Sequence, residues 1–328
     1  MYRFGHYAII LSLVAGLHAQ SLNSESMENR FHKVLNGAAK QDFSIGLALG
    51  AGAAKGFAHI GVLRALEEAG IRIDMIAGSS MGAIIGGGYA AGLSPADLAT
   101  IALNSDWLDV LTLIDPVFPT QGFIDGEKIK NFLEQIYSSK SIEDLNIPFA
   151  ATTVDILNGD LYVIREGSLA NAARASASVP IIFNPLSSGG RVLVDGGMID
   201  PVPVDVVRSM GADFVIAVNV LAFPDDQEEL GTFKLLDGDS LENSRPRWRI
   251  PSAGEAWYTV GQPNLAEIAH ETVLLSMSLI AANQVKLTNP ELLINVSTGL
   301  SAWNFLEGEI AIEKGYTETM KTLEKLRD

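Results

Sequence analysis

IDMIAGSSMGAIIGGGYAAG, residues 73–92, joins an apolar run (73–78) to a helical pattern beginning near Ala83, with almost nothing between them. The corner is Gly78-Ser79-Ser80-Met81-Gly82, which fits the G-x-S-x-G nucleophile elbow. In that turn small residues flank a serine held on a strained strand-to-helix bend with its hydroxyl exposed. The glycines at 78 and 82 single out Ser80; Ser79 is the neighbour. Gly86-Gly87-Gly88 follow in the helix, each costing about 1 kcal/mol against Ala. Close packing beneath the elbow is their expected use. The plain alternative is a glycine-rich corner without chemistry.

Working outward, short apolar runs alternate with helical patterns, as in a sheet of mainly parallel strands covered by helices. The runs are FSIGLAL (43–49), IDMIAG (73–78), PFAATTVD (148–155), RVLVD (191–195) and FVIAVNV (214–220). Between them GVLRALEEAG (61–70) and GEKIKNFLEQIY (126–137) show helical periodicity. Gly50-Ala51-Gly52-Ala53-Ala54-Lys55-Gly56 lies directly after one strand and before a helix. Such a loop exposes backbone N–H groups beside a helix N-terminus and suits a phosphate or a developing oxyanion. A dinucleotide site needs an acid at the end of the next strand, whereas Asp74 lies at its start. A P-loop needs Ser or Thr after the lysine, and Lys55 is followed by Gly56.

A serine nucleophile needs a base. His32 lies in a polar stretch, and His59 sits among Phe57, Ile60 and Val62, where a packed, satisfied histidine is expected. His270 falls in the helical stretch LAEIAHETVLLSMSL, so a Ser80–Asp195–His270 triad requires His270 to serve. The other base is Asp195 of Asp195-Gly196-Gly197, at the end of the run RVLVD, where the C-terminal end of a parallel strand would face the crevice in which such sheets place their sites. A partly buried carboxylate within hydrogen-bond reach can take the serine proton directly.

The chain has 328 residues, 48% apolar and 19% charged, the latter below the roughly 25% of an average soluble domain. It contains no cysteine, which excludes disulfides, thiolate metal sites and cysteine nucleophiles. A net charge of −16 argues against a nucleic-acid partner, whose binder should be basic. Residues 1–19 read as a cleaved export signal: Arg3, an apolar run from Tyr7 to Leu17, and a small residue at Ala19. The run is shorter than the roughly twenty residues of a membrane span. Cleavage after Ala19 removes Arg3 and leaves −16 − 1 = −17, and the expected location is periplasmic or secreted. Residues 20–42 read as a polar linker, and 43–328 as the folded domain.

The ordered set GLALGAGAAKGFAHIGVL (46–63), AGSSMG (77–82), ARASASVPIIFNP (173–185) and VDGG (194–197) resembles the patatin-like phospholipase family, and within it the short bacterial members. The resemblance implies a three-layer α/β/α sandwich with a mostly parallel central sheet. It implies acyl-ester hydrolysis by a Ser80–Asp195 dyad, without metal or other cofactor. Gly50, Gly52, Ala53 and Gly56 would build the oxyanion hole, with the amides around Gly52 and Ala53 as donors. The family often has three consecutive glycines where Ala51 and Ala53 interrupt the run here; donors survive if φ stays negative at both alanines. Lys55 stands where Arg is common, and Asp200-Pro201-Val202-Pro203 varies from the commoner Asn-containing form.

The partner implied is a lipid or other acyl ester, met in transient contact with a membrane or micelle. Residues 106–123 and 221–263, with Trp248 and Trp257, are candidates to line or cover an acyl channel. The competing readings are an α/β-hydrolase esterase using the His270 triad, and a non-catalytic exported lipid-binding protein.

Overall fold

The computed structural model describes residues 25–103, 122–124, 126–221, 265–300, 302 and 305–327. The expected signal (1–19) lies outside them, as do residues 106–121 and 222–263 of the two candidate lids, Trp248 and Trp257 included.

Strands β1 (Ile45–Leu49), β2 (Met75–Ser79), β3 (Gly122–Ile124), β4 (Phe149–Asp155), β5 (Asp160–Ile164), β6 (Ile181–Phe183), β7 (Leu186–Ser188), β8 (Arg191–Asp195), β9 (Phe214–Asn219) and β10 (Leu292–Asn295) carry the architecture. The main sheet runs β10-β9-β1-β2-β4-β8-β7, with β5 also pairing β4; β3 and β6 form a separate parallel pair. From β10 to β4 every pairing is parallel. Strands β5, β7 and β8 pair antiparallel. Each of the five apolar runs read from the sequence marks a strand, β2 running one residue beyond its run to Ser79. The expectation that Asp195 ends a parallel strand does not hold, because β8 runs against β4.

Helices α1 (Met27–Leu35), α2 (Ala58–Glu68), α3 (Met81–Ala90), α4 (Pro95–Leu103), α5 (Glu127–Ile136), α6 (Leu169–Ser176), α7 (Val204–Ser209), α8 (Leu265–Thr288) and α9 (Gly308–Arg327) cover the sheet on both faces. The three-layer sandwich follows from an asymmetric alternation of side chains. On β1 the large residues Ile45, Leu47 and Leu49 face one core, while Ala48 faces the other. On β9 Phe214, Ile216 and Val218 point to the first core, Val215 and Ala217 to the second. The bulky face takes α1 to α6 and α9; the small-residue face takes α7 and α8. A Cβ on Gly46 would lie 2.7 Å from Val207 of α7, so the second layer sits close to the backbone of β1. No described helix is long and apolar enough to cross a membrane.

The polar-linker reading of 20–42 is corrected from Met27 onward. Ser26 caps α1 by accepting from the Asn29 N–H, and Phe31 stacks on Phe214 with ring centroids 4.4 Å apart. The apolar stripe Met27, Phe31, Val34 and Leu35 spans only nine residues, too short to stand out against its polar surroundings. This helix packs at the start of β9, and Asp74 accepts the Ile45 N–H at the start of β1. Both features therefore lie at the end of the sheet opposite the strand C-termini.

Helices α2 and α9 meet almost backbone to backbone. A Cβ on Gly61 would lie 1.8 Å from the Ile312 carbonyl oxygen, and one on Gly315 would lie 2.0 Å from that of Ala58. Gly315→Ala is expected to push the helices apart and cost about 1–3 kcal/mol in unfolding free energy, or more. Urea denaturation checks it, and an unchanged midpoint would refute the close approach.

Candidate active site

The site forms where two strand ends meet. The last residue of β2, Ser79, registers with Thr152 of β4, and the last residue of β8, Asp195, registers with Thr153. Adjacent residues of one strand thus hold the ends of β2 and β8 head to head, and the next residue after β2 is Ser80. The chain leaves β2 for α3 through Ser80 at positive φ: its φ is 54° and its ψ −123°. Such a conformation costs of order 1–3 kcal/mol and must be held by its surroundings. The elbow glycines explain the fit. A Cβ on Gly78 would lie 2.5 Å from the Ala83 Cα, and one on Gly82 would lie 2.2 Å from the Leu49 carbonyl oxygen.

Ser80 and Asp195 come together directly. The Ser80 Oγ donates to Asp195 Oδ2 at 2.6 Å, and the Gly197 N–H donates to Oδ1 at 2.8 Å. Asp195 is fully buried. Burial pushes its carboxyl up to about 7, against the lowering effect of the two hydrogen bonds. A carboxylate held in this way can accept a proton near neutral pH. Gly196 cannot carry a side chain, because a Cβ would lie 2.3 Å from the Thr152 carbonyl oxygen.

Both residues are gripped through their backbones by one short segment. The Ser80 N–H donates to the Ser176 Oγ at 2.9 Å, and the Asp195 N–H donates to the Ser178 carbonyl at 2.9 Å. Sequence reasoning missed these two serines. They lie inside ARASASVPIIFNP, but nothing in their local pattern shows that partners 96 and 17 positions away will use them.

The glycine loop resolves into fastened and open groups. The Gly50 N–H donates to the Val218 carbonyl, Ala51 N–H to Pro201, Ala54 N–H to Ala302 and Lys55 N–H to Gly52. Among the described residues the N–H groups of Gly52 and Ala53 make no such bond. Gly50 is therefore corrected as an oxyanion donor: its amide is consumed in extending the β1–β9 ladder. Gly56 serves close packing, since a Cβ there would lie 2.4 Å from the Met81 side chain. The condition of negative φ at both alanines is not met, because Ala53 has φ 47°; among the described residues its N–H makes no backbone bond all the same, so the positive φ does not consume the donor.

The histidines separate clearly. His59 is fully buried, its Nε2 lies 2.7 Å from the Gly50 carbonyl oxygen, and burial lowers its pKa to about 4. Among the described residues its Nδ1 has no hydrogen-bond partner, so the expected satisfied core histidine is only half satisfied. His32 lies on α1, at the far end of the sheet. His270 belongs to the first turns of α8, and its side chain lies outside the described residues. A second buried acid, Asp200, accepts from Gln284 of α8, and burial raises it to about 6.

Comparison with known proteins places these parts in a family. Residues 47–208 match the family model described as patatin-like phospholipase. An NTE family protein of Mycobacterium tuberculosis is 41% identical over 176 residues, covering 54% of this chain and 49% of that protein. Patatin-like phospholipase domain-containing protein 6 of Homo sapiens is 34% identical over 241 residues, 71% of this chain and 17% of that protein. A protein of Yarrowia lipolytica named a lysophospholipase is 31% identical over 267 residues, 77% of this chain and 17% of that protein. The chain thus spans about half the length of the mycobacterial relative and a smaller share of the other two. In fold it is similar to the crystal structure of VipD from Legionella pneumophila, with a TM-score of 0.52 at 14% identity over 88% of this chain and 67% of that one.

The left-handed alanine yields a stability prediction. Ala53→Gly relieves a penalty of roughly 1–2 kcal/mol. It adds unfolded-state freedom costing about 0.5–1 kcal/mol. A net gain of about 0.5–1 kcal/mol is expected in urea denaturation; a loss would mean that the alanine methyl group contributes packing that outweighs its backbone strain.

Proposed function

From the premise that residues 47–208 belong to the patatin-like phospholipase family, we propose that this protein is an exported serine hydrolase of lipid acyl esters working through Ser80 and Asp195. The observation that carries the reading is the 2.6 Å bond from the Ser80 Oγ to Asp195 Oδ2. In a serine–histidine–aspartate triad the acid orients the imidazole. Here the serine itself and the Gly197 N–H occupy the two carboxylate oxygens, which favours the dyad over the His270 triad.

In the reaction the Ser80 Oγ attacks the ester carbonyl carbon while its proton passes to Asp195 Oδ2. The oxyanion of the tetrahedral intermediate accepts from the Gly52 and Ala53 N–H groups, each such donor being worth about 3–4 kcal/mol. Collapse breaks the bond to the alcohol, which leaves with the proton held by Asp195. Water then attacks the acyl-serine as Asp195 takes its proton, and collapse breaks the bond to the Ser80 Oγ, which receives that proton from Asp195 as the fatty acid leaves. A single-chain lysophospholipid is the first substrate to try, because one relative is named a lysophospholipase. With an acidic chain of net charge −16, contact with a lipid aggregate rests on apolar groups rather than on polybasic capture.

A fluorophosphonate probe is expected to label the wild type and not Ser80→Ala, with His270→Ala labelled like wild type. Equal labelling of wild type and Ser80→Ala would end the serine-hydrolase reading. Asp195 must be ionised to act as base, so kcat/KM is expected to rise with pH through about 7 and fall about tenfold per unit below it. Export is tested by the N-terminus of the protein recovered outside the cytoplasm. It should begin at Gln20, and an intact Met1 in that fraction would refute cleavage after Ala19.

A further inference from the structure

Oxyanion binding asks more of the loop between β1 and α2 than room for a substrate oxygen. It asks two amides to hold one direction while their neighbours are tied elsewhere. The loop backbone is tied at the N–H groups of Gly50, Ala51, Ala54 and Lys55 and at the carbonyl of Gly52. A further fixed point is the Gly50 carbonyl oxygen. It lies 2.7 Å from His59 Nε2, and a Cβ on Gly82 of the elbow would come within 2.7 Å of the same oxygen. The first turn of α2 and the nucleophile elbow therefore close on one carbonyl.

The imidazole there is not explained by packing alone. A carbonyl oxygen only accepts, so Nε2 carries the proton and Nδ1 carries a lone pair. That lone pair is buried with no donor among the described residues, a loss that an apolar side chain of similar size would avoid. Buried polar groups left unmade are uncommon and call for a specific reason. The reason available here is the carbonyl on the other side of the ring.

We infer that His59 is a positioning residue of the oxyanion loop: its Nε2–H fixes the Gly50 carbonyl and, through the backbone that follows, the direction of the Gly52 and Ala53 N–H groups. This rests on the hydrolase reading of the site. Burial keeps the ring neutral, since its pKa lies near 4, so the bond has the same character throughout the working pH range. The ring takes no proton from Ser80, because its protonated nitrogen is turned to Gly50 and Asp195 already accepts from the serine.

The test compares His59→Gln, whose amide nitrogen reaches about as far as Nε2, with His59→Asn, whose amide is too short, and with His59→Leu. Hydrolysis of a p-nitrophenyl acyl ester gives kcat and KM, fluorophosphonate labelling gives the rate of serine attack, and thermal unfolding gives stability. Asn and Leu are expected to lower kcat and the labelling rate about 10–100-fold, as misplacement of a reacting group does. KM should stay within about twofold, the pattern of a loss confined to the transition state. Gln should recover most of the rate. Equal impairment of Gln and Asn overturns the proposal, as do rates that simply follow the loss of thermal stability. If the Leu variant does not fold, the Gln and Asn pair decides alone. Failure of the hydrolase reading would appear separately, as a wild type labelled no better than Ser80→Ala.

Discussion

The hydrogen bond from the Ser80 Oγ to Asp195 Oδ2 is the constraint on which the arrangement of the site depends. Two side chains 115 positions apart meet within 2.6 Å only because β4 registers the ends of β2 and β8 on consecutive threonines. A sheet register is all or nothing: a slip of one residue turns each side chain to the opposite face. Correct pairing of Ser79 with Thr152 and of Asp195 with Thr153 therefore leaves little further adjustment to the elbow itself. The Ser176–Ser178 segment makes the remaining adjustment by holding one backbone N–H on each side.

Much at this site is unfavourable to folding in isolation. Ser80 and Ala53 have positive φ without being glycine, Asp195 is a fully buried carboxyl, and His59 has a buried ring nitrogen with no donor among the described residues. Strained and under-satisfied groups persist where the surroundings over-determine them. Here the surroundings are the centre of the sheet, where β1, β2, β4 and β9 are buried along their whole described length apart from Met75. The asymmetric core serves the same end. Large aliphatic residues on one face give the buried mass, while Gly46, Ala48, Ala77 and Ala150 on the other let the second layer approach the sheet closely. Pro201, just before α7, then comes near enough for its carbonyl to take the Ala51 N–H.

Local stereochemistry wrote the main elements plainly into the chain. The alternating apolar runs mark β1, β2, β4, β8 and β9, because a buried strand must present hydrophobic side chains. The glycines of Gly78-Ser79-Ser80-Met81-Gly82 mark the elbow, because a Cβ at either end would enter neighbouring backbone. Asp195-Gly196-Gly197 was equally legible: the carboxylate sits at a strand end, and Gly196 has no space for a side chain. The scarcity of histidines already narrowed the choice of base. Helix α1 was not legible, since its two buried residues, Phe31 and Leu35, are too few to form a visible period.

The sequence by itself determined which residue types stand at each bend and which faces must be buried. Those follow from steric and hydrophobic rules that act within a few residues. Only the tertiary structure decided the direction of β8, the loss of the Gly50 amide to Val218, the left-handed turn at Ala53 and the contact of His59 with Gly50. The strand direction and the Gly50 amide depend on partners far along the chain. The Ala53 turn and the His59 contact join near neighbours, but only within a loop whose path those distant bonds set. A hydrogen bond has no local sequence signature for its distant partner, so the free amides become known only once every competing acceptor has found its place.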